Sequence, residues 1–203
     1  MRLVFATVLS ALSFSATAAP VAYTLDPAHT QAQFSWNHLQ YSNPEAGFDD
    51  IRGTLQWDAE HVEKSAVEVT IRIDSVHSHV AALDEKLKSA EFFDSAKYPT
   101  ATFVSRSVAR SGKGDRMRIV GDLTLHGVTK PLTLDAKLNH VGVYPMLEVP
   151  AAGFDATATL KRSDFGIAEG IPMVGDAITL RISTEALEAK GYAAAMAKFA
   201  GEK

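Results

Sequence analysis

From Tyr23 onward, apolar and polar residues alternate with a period of two, the pattern of strands with one dry and one wet face. Ala32, Phe34, Trp36 and His38 alternate with Gln33, Ser35 and Asn37; Ile51, Gly53, Leu55 and Trp57 alternate with Arg52, Thr54 and Gln56. Val67, Val69, Ile71 and Ile73 are interleaved with Glu68, Thr70 and Arg72. Further on, Met117, Ile119, Gly121, Leu123 and Leu125 share one face, as do Leu132, Leu134, Ala136 and Leu138. Phe154, Ala156, Ala158 and Leu160 repeat the pattern, and so do Ile178, Leu180 and Ile182. Residues 100–108 follow it less cleanly, with Ala101 and Phe103 against Thr102 and Val104, which gives about eight strands in all.

Turn signals punctuate these runs at Asn43-Pro44-Glu45-Ala46-Gly47, at Ser111-Gly112-Lys113-Gly114-Asp115 and at His126 to Pro131. Between Val80 and Ala90 the rhythm changes. Val80, Leu83 and Leu87 stand at helical spacing among Asp84, Glu85, Lys86 and Lys88, which predicts one short helix between strands. A weaker helical tail covers residues 192–199. Strands with one apolar face each can form a sandwich or a closed barrel, and closure removes exposed edges. The expected fold class is therefore mainly β, an eight-stranded antiparallel barrel with one short helix inserted. Small inward residues such as Ala32, Gly53, Gly121, Ala136 and Ala156 either leave space inside it or relieve crowding at its corners.

The first residues add an address. Met1-Arg2 precede an apolar run to about Phe14 and then Ala16-Thr17-Ala18, the form of a cleaved secretory signal with processing before Ala19. The run is shorter than the ~18 residues of a bilayer span. The expected organisation is a signal peptide over 1–18, one barrel domain over 19–189 and a helical or frayed tail over 190–203, with the periplasm as destination. Cysteine is absent, which removes disulfides and thiolate metal sites. The net charge of −4 comes from interspersed acids and bases and lacks the basic footprint of a nucleic-acid binder.

Five segments in register resemble the YceI-like, polyisoprenoid-binding family. Asp26-Pro27-Ala28-His29-Thr30 leading to Phe34-Ser35-Trp36-Asn37-His38 is similar to its opening, followed by Gly47-Phe48-Asp49-Asp50-Ile51-Arg52-Gly53. Leu83 to Asp94 with Tyr98-Pro99, then Gly121-Asp122-Leu123-Thr124-Leu125-His126-Gly127-Val128-Thr129-Lys130-Pro131, then Arg162-Ser163-Asp164-Phe165-Gly166-Ile167 complete the set across Tyr23–Ala189. Two positions depart from the family: Ser75-Val76-His77-Ser78-His79 stands where relatives carry a Thr, and Lys86 where they often carry a helical His. The resemblance implies a lipocalin-like barrel whose lumen holds an isoprenoid quinone, a polyprenyl compound or another long amphiphile. It also implies a periplasmic binding or carrier role and no enzymatic activity.

On parity alone, Phe34, Trp36, Trp57, Val69, Ile71, Phe103, Ile119, Leu123, Leu134, Leu138, Phe154 and Leu160 either fill a solid core or line a lumen; the resemblance implies the lumen. His38 and Arg162 share the inward parity at strand ends, where they can meet a polar head group. The plainer roles are a backbone hydrogen bond for His38 and an ion pair with Asp164 or another acid for Arg162. His77 and His79 lie two apart, but zinc needs three or four ligands, so no metal site is assigned. Asp49-Asp50 and Asp58 with Glu60 read as solvated loop charges. No nucleophile elbow, zinc-protease or phosphate-loop motif is present. No cofactor is expected. The expected partner is a long-chain isoprenoid or similar amphiphilic lipid, with no nucleic acid and no stable membrane insertion, and a homodimer stays open. Two other readings stand beside the carrier: a lipid-linked enzyme or redox accessory using mouth histidines, and sequestration of fatty-acid-like amphiphiles under stress.

Overall fold

The computed structural model describes residues 19–112 and 114–201; the predicted signal peptide, Lys113 and residues 202–203 lie outside them. The strands are β1 (Val21–Leu25), β2 (Gln31–His38), β3 (Glu45–Phe48), β4 (Ile51–Trp57), β5 (Ala66–Arg72), β6 (Val76–His77), β7 (Thr100–Arg110), β8 (Arg116–Leu125), β9 (Val128–Tyr144), β10 (Val149–Lys161) and β11 (Val174–Glu188). Helix α1 (Ala81–Lys88) stands between β6 and β7, and α2 (Ala189–Gly201) follows β11. β4, β5, β7, β8, β9, β10 and β11 pair antiparallel in that order, and β1 closes the sheet by pairing with both β4 and β11. β2 continues β1 along β11, β3 runs beside β2, and β6 runs beside β3. Counting each broken strand once, the wall is the eight-stranded antiparallel barrel that the alternation predicted.

Local chemistry explains the connections. β8 turns into β9 through two residues only, His126 (φ 52°) and Gly127 (φ 74°), both left-handed as a tight hairpin of matched twist requires. Gly127 also lies under the Tyr98 ring, where a Cβ would come within 2.5 Å of it, so no larger residue fits. α1 is held at its entrance by Asp84, which accepts hydrogen bonds from the Ser78 N–H and hydroxyl at 2.6 and 2.5 Å. Those bonds hold the Asp84 carboxyl below its ordinary pKa.

The structure departs from the alternation in four places. Glu45, Ala46 and Gly47 belong to β3 rather than to a turn; the reversal is made by residues 39–43, and Ala46 is buried. β6 has only two residues, too few to show a period. A bulge between Ser105 and Ser107 switches the parity of β7, so Phe103 and Val108 both face inward while Val104 faces out. Asp58 is buried, not solvated: its carboxylate accepts the N–H groups of Glu60 and His61, and those bonds lower its pKa. It thereby fixes the turn that crosses one end of the barrel.

Candidate functional site

The barrel interior is not filled. A cavity of about 530 Å³ runs from Trp57, Val108 and Met117 at one end to His38, Lys86 and Arg162 at the other. At the first end, Val62 from the 58–65 turn is 2% exposed and packs with Trp57, Val108 and Met117, which seals the lumen. At the second end, His38 and Lys86 line the cavity and are exposed, so the lumen opens to water there.

The predicted inward positions come together on this wall. Phe34, Trp36, Trp57, Val69, Ile71, Phe103, Ile119, Leu123, Leu134, Phe154 and Leu160 line the cavity, with His38 and Arg162 at its open end. Leu138 does not. It lies one residue past the end of the β8–β9 pairing and packs beneath the sealed end instead. Sequence reasoning missed the cover of the open end, made by Leu83 and Leu87 of α1 with Phe92 and Phe93 behind it. The signal was present as helical spacing followed by two aromatics. Periodicity says which face is apolar, but not what that face lies against. Of the small inward residues, Ala32, Ala136 and Ala156 line the cavity. Gly53 and Gly121 instead admit close neighbours: a Cβ would stand 2.7 Å from Leu25 and 2.5 Å from Phe103.

The polar groups along the lumen largely satisfy one another. Thr30 and Thr184 share a hydrogen bond of 2.7 Å between their hydroxyls, and the Ser65 hydroxyl accepts the Asp58 N–H at 3.0 Å. An unpaired polar group facing hydrocarbon would cost several kcal/mol, so the wall is prepared for an apolar occupant. The Trp57 indole N–H is the exception: it is buried without a partner.

Positive charge gathers at the mouth. Arg162 is 6% exposed and donates to three backbone carbonyls, Gly175 (2.9 Å), Ile167 (3.1 Å) and Val174 (2.8 Å). It therefore pins the 162–175 loop through carbonyls and not through Asp164. Burial lowers its pKa, opposed by the charges of Asp176 and Glu169. Three of its five N–H groups are thus engaged. Lys86 pairs with Glu91, and both Lys86 Nζ and the Arg162 guanidinium approach the Phe92 ring, at 5.7 and 6.0 Å.

Three other histidines, His126, His77 and His29, stand where elements meet. His126 meets the Phe165 carbonyl at 3.0 Å and the Tyr98 ring at 4.7 Å, tying the β8–β9 turn to the mouth loops. His77 lies beside Asp49 at 3.1 Å, with the His79 ring 5.3 Å away. Neither His77 nor His79 lines the lumen. His29 contacts Asp26 at 2.6 Å, and Asp26 also accepts the Tyr192 hydroxyl, so the break between β1 and β2 is fastened to α2. The hydrogen bond to Asp26 raises the His29 pKa.

The family model described as YceI-like domain matches residues 23–186. The chain belongs to the YceI family. Protein YceI of Escherichia coli O157:H7 is 40% identical over 184 residues, covering 89% of this chain and 95% of that relative. Protein YceI of Salmonella newport is 38% identical over 186 residues, covering 91% and 96%. Among solved structures, the YceI protein of Campylobacter jejuni is 32% identical with a TM-score of 0.68, over 75% of this chain and 90% of that one. A polyisoprenoid binding domain from Saccharophagus degradans shares the YceI fold at 15% identity and a TM-score of 0.63, over 83% and 99%.

Proposed function

We propose that this chain is a periplasmic binding or carrier protein that encloses one long-chain isoprenoid lipid, a quinone or a polyprenyl compound, in its lumen. The observation that carries this reading is the apolar cavity, sealed at the Trp57 end and open at the Arg162 end. Support comes from the fold shared with a domain described as polyisoprenoid binding. The thirteen predicted residues on the cavity wall are the proposed contacts. An enzyme or redox reading would use His38 or the pair His77 and His79; the pair lies off the lumen, and we read His38, which lines its open end, as a head-group contact, so we assign the chain no reaction.

Energetics set the role. A lipid gains about 0.8 kcal/mol for each methylene taken from water, yet in a membrane it is already dry. The preference for the barrel over the membrane is then small and set by shape and head group, as suits a carrier. At the mouth, Lys86, His38 and the unengaged N–H groups of Arg162 favour an oxygen-rich or anionic head. The export reading rests on the Arg2-to-Ala18 pattern.

Organic extraction and mass spectrometry of the protein purified from its own periplasm test both parts. The expected result is one long apolar lipid per chain and an intact mass beginning at Ala19. Leu123→Glu, which places a carboxylate on the lumen wall, is expected to abolish the lipid and to lower stability by several kcal/mol, as an unpaired charge facing an apolar wall does. Full lipid content in Leu123→Glu would refute the assignment of the lumen as the binding site.

A further inference from the structure

We propose that the open end of the barrel docks transiently on a lipid bilayer through an apolar rim formed by Leu39, Tyr41, Ile171 and Met173. The inference rests on the carrier reading and adds where the cargo is exchanged. Tyr41 is 92% exposed, Met173 64%, Leu39 43% and Ile171 36%. Both rim loops grow out of the lumen wall. Residues 39–43 lie between His38 and Pro44, and residues 168–173 between Ile167 and Val174, and all four flanking residues line the cavity. The Leu39 N–H donates to the Met173 carbonyl at 2.9 Å, so the two loops present one surface.

The first loop is strained. Leu39 (φ 54°) and Gln40 (φ 63°) are both left-handed, a conformation that leucine rarely adopts. The strain is held by polar groups turned toward the backbone: Asn37 accepts the Gln40 N–H at 2.9 Å and donates to Asn43 at 3.2 Å. A surface turn ordinarily shows its polar side chains to water. Here Asn37 and Asn43 bond within the turn while staying exposed, and Leu39 and Tyr41 stand beside them equally open to water. Strain of this kind persists where function requires it, and an amphipathic ring such as that of Tyr41 suits the bilayer interface.

The cargo itself says what covers the rim. A long isoprenoid crossing open water would expose its whole chain, so exchange requires the mouth to meet the membrane directly. Residues 39–43 carry no charge, and Glu169 is the one charged residue in 168–173, so the rim itself offers apolar contact and leaves charge to Lys86 and Arg162 inside the mouth. Among the described residues, no helix is long and apolar enough to cross a membrane. A second exposed apolar group, Val143 and Met146 on the β9–β10 hairpin, sits at the sealed end, where no cargo passes, and serves as the internal control.

The test is transfer of a long-chain ubiquinone between vesicles of phosphatidylethanolamine and phosphatidylglycerol, read against vesicle concentration. The wild-type rate is expected to rise in proportion to acceptor vesicles, as in a collisional exchange. The combined Leu39→Asp, Tyr41→Asp, Met173→Asp variant should transfer at least about tenfold more slowly with unchanged equilibrium lipid content. Tyr41→Asp alone, at the most exposed position, should show part of the loss and guards against misfolding of the triple variant. Val143→Asp with Met146→Asp should transfer like wild type. The proposal is overturned if the triple variant keeps the wild-type rate, if the hairpin variant shows the loss, or if the rate ignores vesicle concentration. If wild type takes up no ubiquinone, the carrier reading fails. Flotation of the empty protein with the same vesicles then decides the rim: wild type should float and the triple variant should not, and equal behaviour overturns the rim as well.

Discussion

At the sealed end of the barrel, Val62, Trp57, Val108 and Met117 are 2–5% exposed, and the turn above them is fixed by the buried Asp58 carboxylate. At the open end, Phe92, Phe93 and Leu83 are only half-buried, and the same eight staves end in loops. Those loops carry five of the six left-handed non-glycine residues among the described ones: Leu39, Gln40, His79, Asp94 and His126. The sixth, Glu148, lies in the hairpin at the other end. One end is therefore packed like an ordinary core, and strain collects where the lumen meets solvent. The contrast separates residues that hold the barrel together from residues that decide what enters it.

If that division is right, substitutions at the two ends should fail in different ways. The largest effect is expected at the sealed end. Trp57→Ala removes a large side chain packed edge-on against Phe154 and should cost about 3–5 kcal/mol in urea unfolding. A cost below about 1 kcal/mol would mean that the floor is not a packed core.

Arg162 tests the boundary between the two classes, since it lines the mouth yet holds three carbonyls. Arg162→Ala should lose about 2–3 kcal/mol and make residues 166–173 newly sensitive to protease. It should also change which head groups are retained. Unchanged stability with altered lipid selection would move Arg162 wholly to the ligand side, and the reverse would make it purely structural.

His38 is exposed at the rim, and its replacement should leave folding untouched. Here the readout is competition between a polyprenyl phosphate and the matching alcohol. His38→Ala is expected to shift that preference by about 0.5–1.5 kcal/mol. No shift for either lipid would place the head group elsewhere.

The smallest effect is a pH dependence away from the mouth. The hydrogen bond to Asp26 raises the folded pKa of His29, with Glu185 adding to it, so folding favours the protonated ring. That stabilisation is full below about pH 6.5 and fades as the pH rises through the folded value. His29 is about half exposed, so a thermal shift between wild type and His29→Gln of at most about 3 °C is expected. It should be visible at pH 5 and shrink by pH 8, with lipid content unaffected. A difference that grows with pH would contradict the sign.

The legible parts of the molecule were those where regular pairing continues on both sides. β8, β9, β10 and β11 pair over long registers, so the inward face of Ile119, Leu134, Leu160 and Ile178 can be read from alternation alone. β3 and β6 are too short to set a period, and the β7 bulge reverses one partway along. Leu138 keeps the right parity and still pairs with β10, but it lies past the end of β8, where its side chain joins the core cluster and not the lumen wall. The burial of Asp58 and the carbonyl partners of Arg162 are not legible for one reason: both depend on backbone groups brought in by loops, which no side-chain pattern records.

The central claim is that the lumen is a container for one long lipid. Native mass spectrometry of the protein released gently from the cells that make it, comparing wild type with Leu123→Glu, is the decisive measurement. Wild type is expected with a single adduct of isoprenoid-lipid mass per chain, and Leu123→Glu at the bare chain mass. Wild type at the bare mass under the same gentle release, or an equal adduct on both proteins, would contradict it.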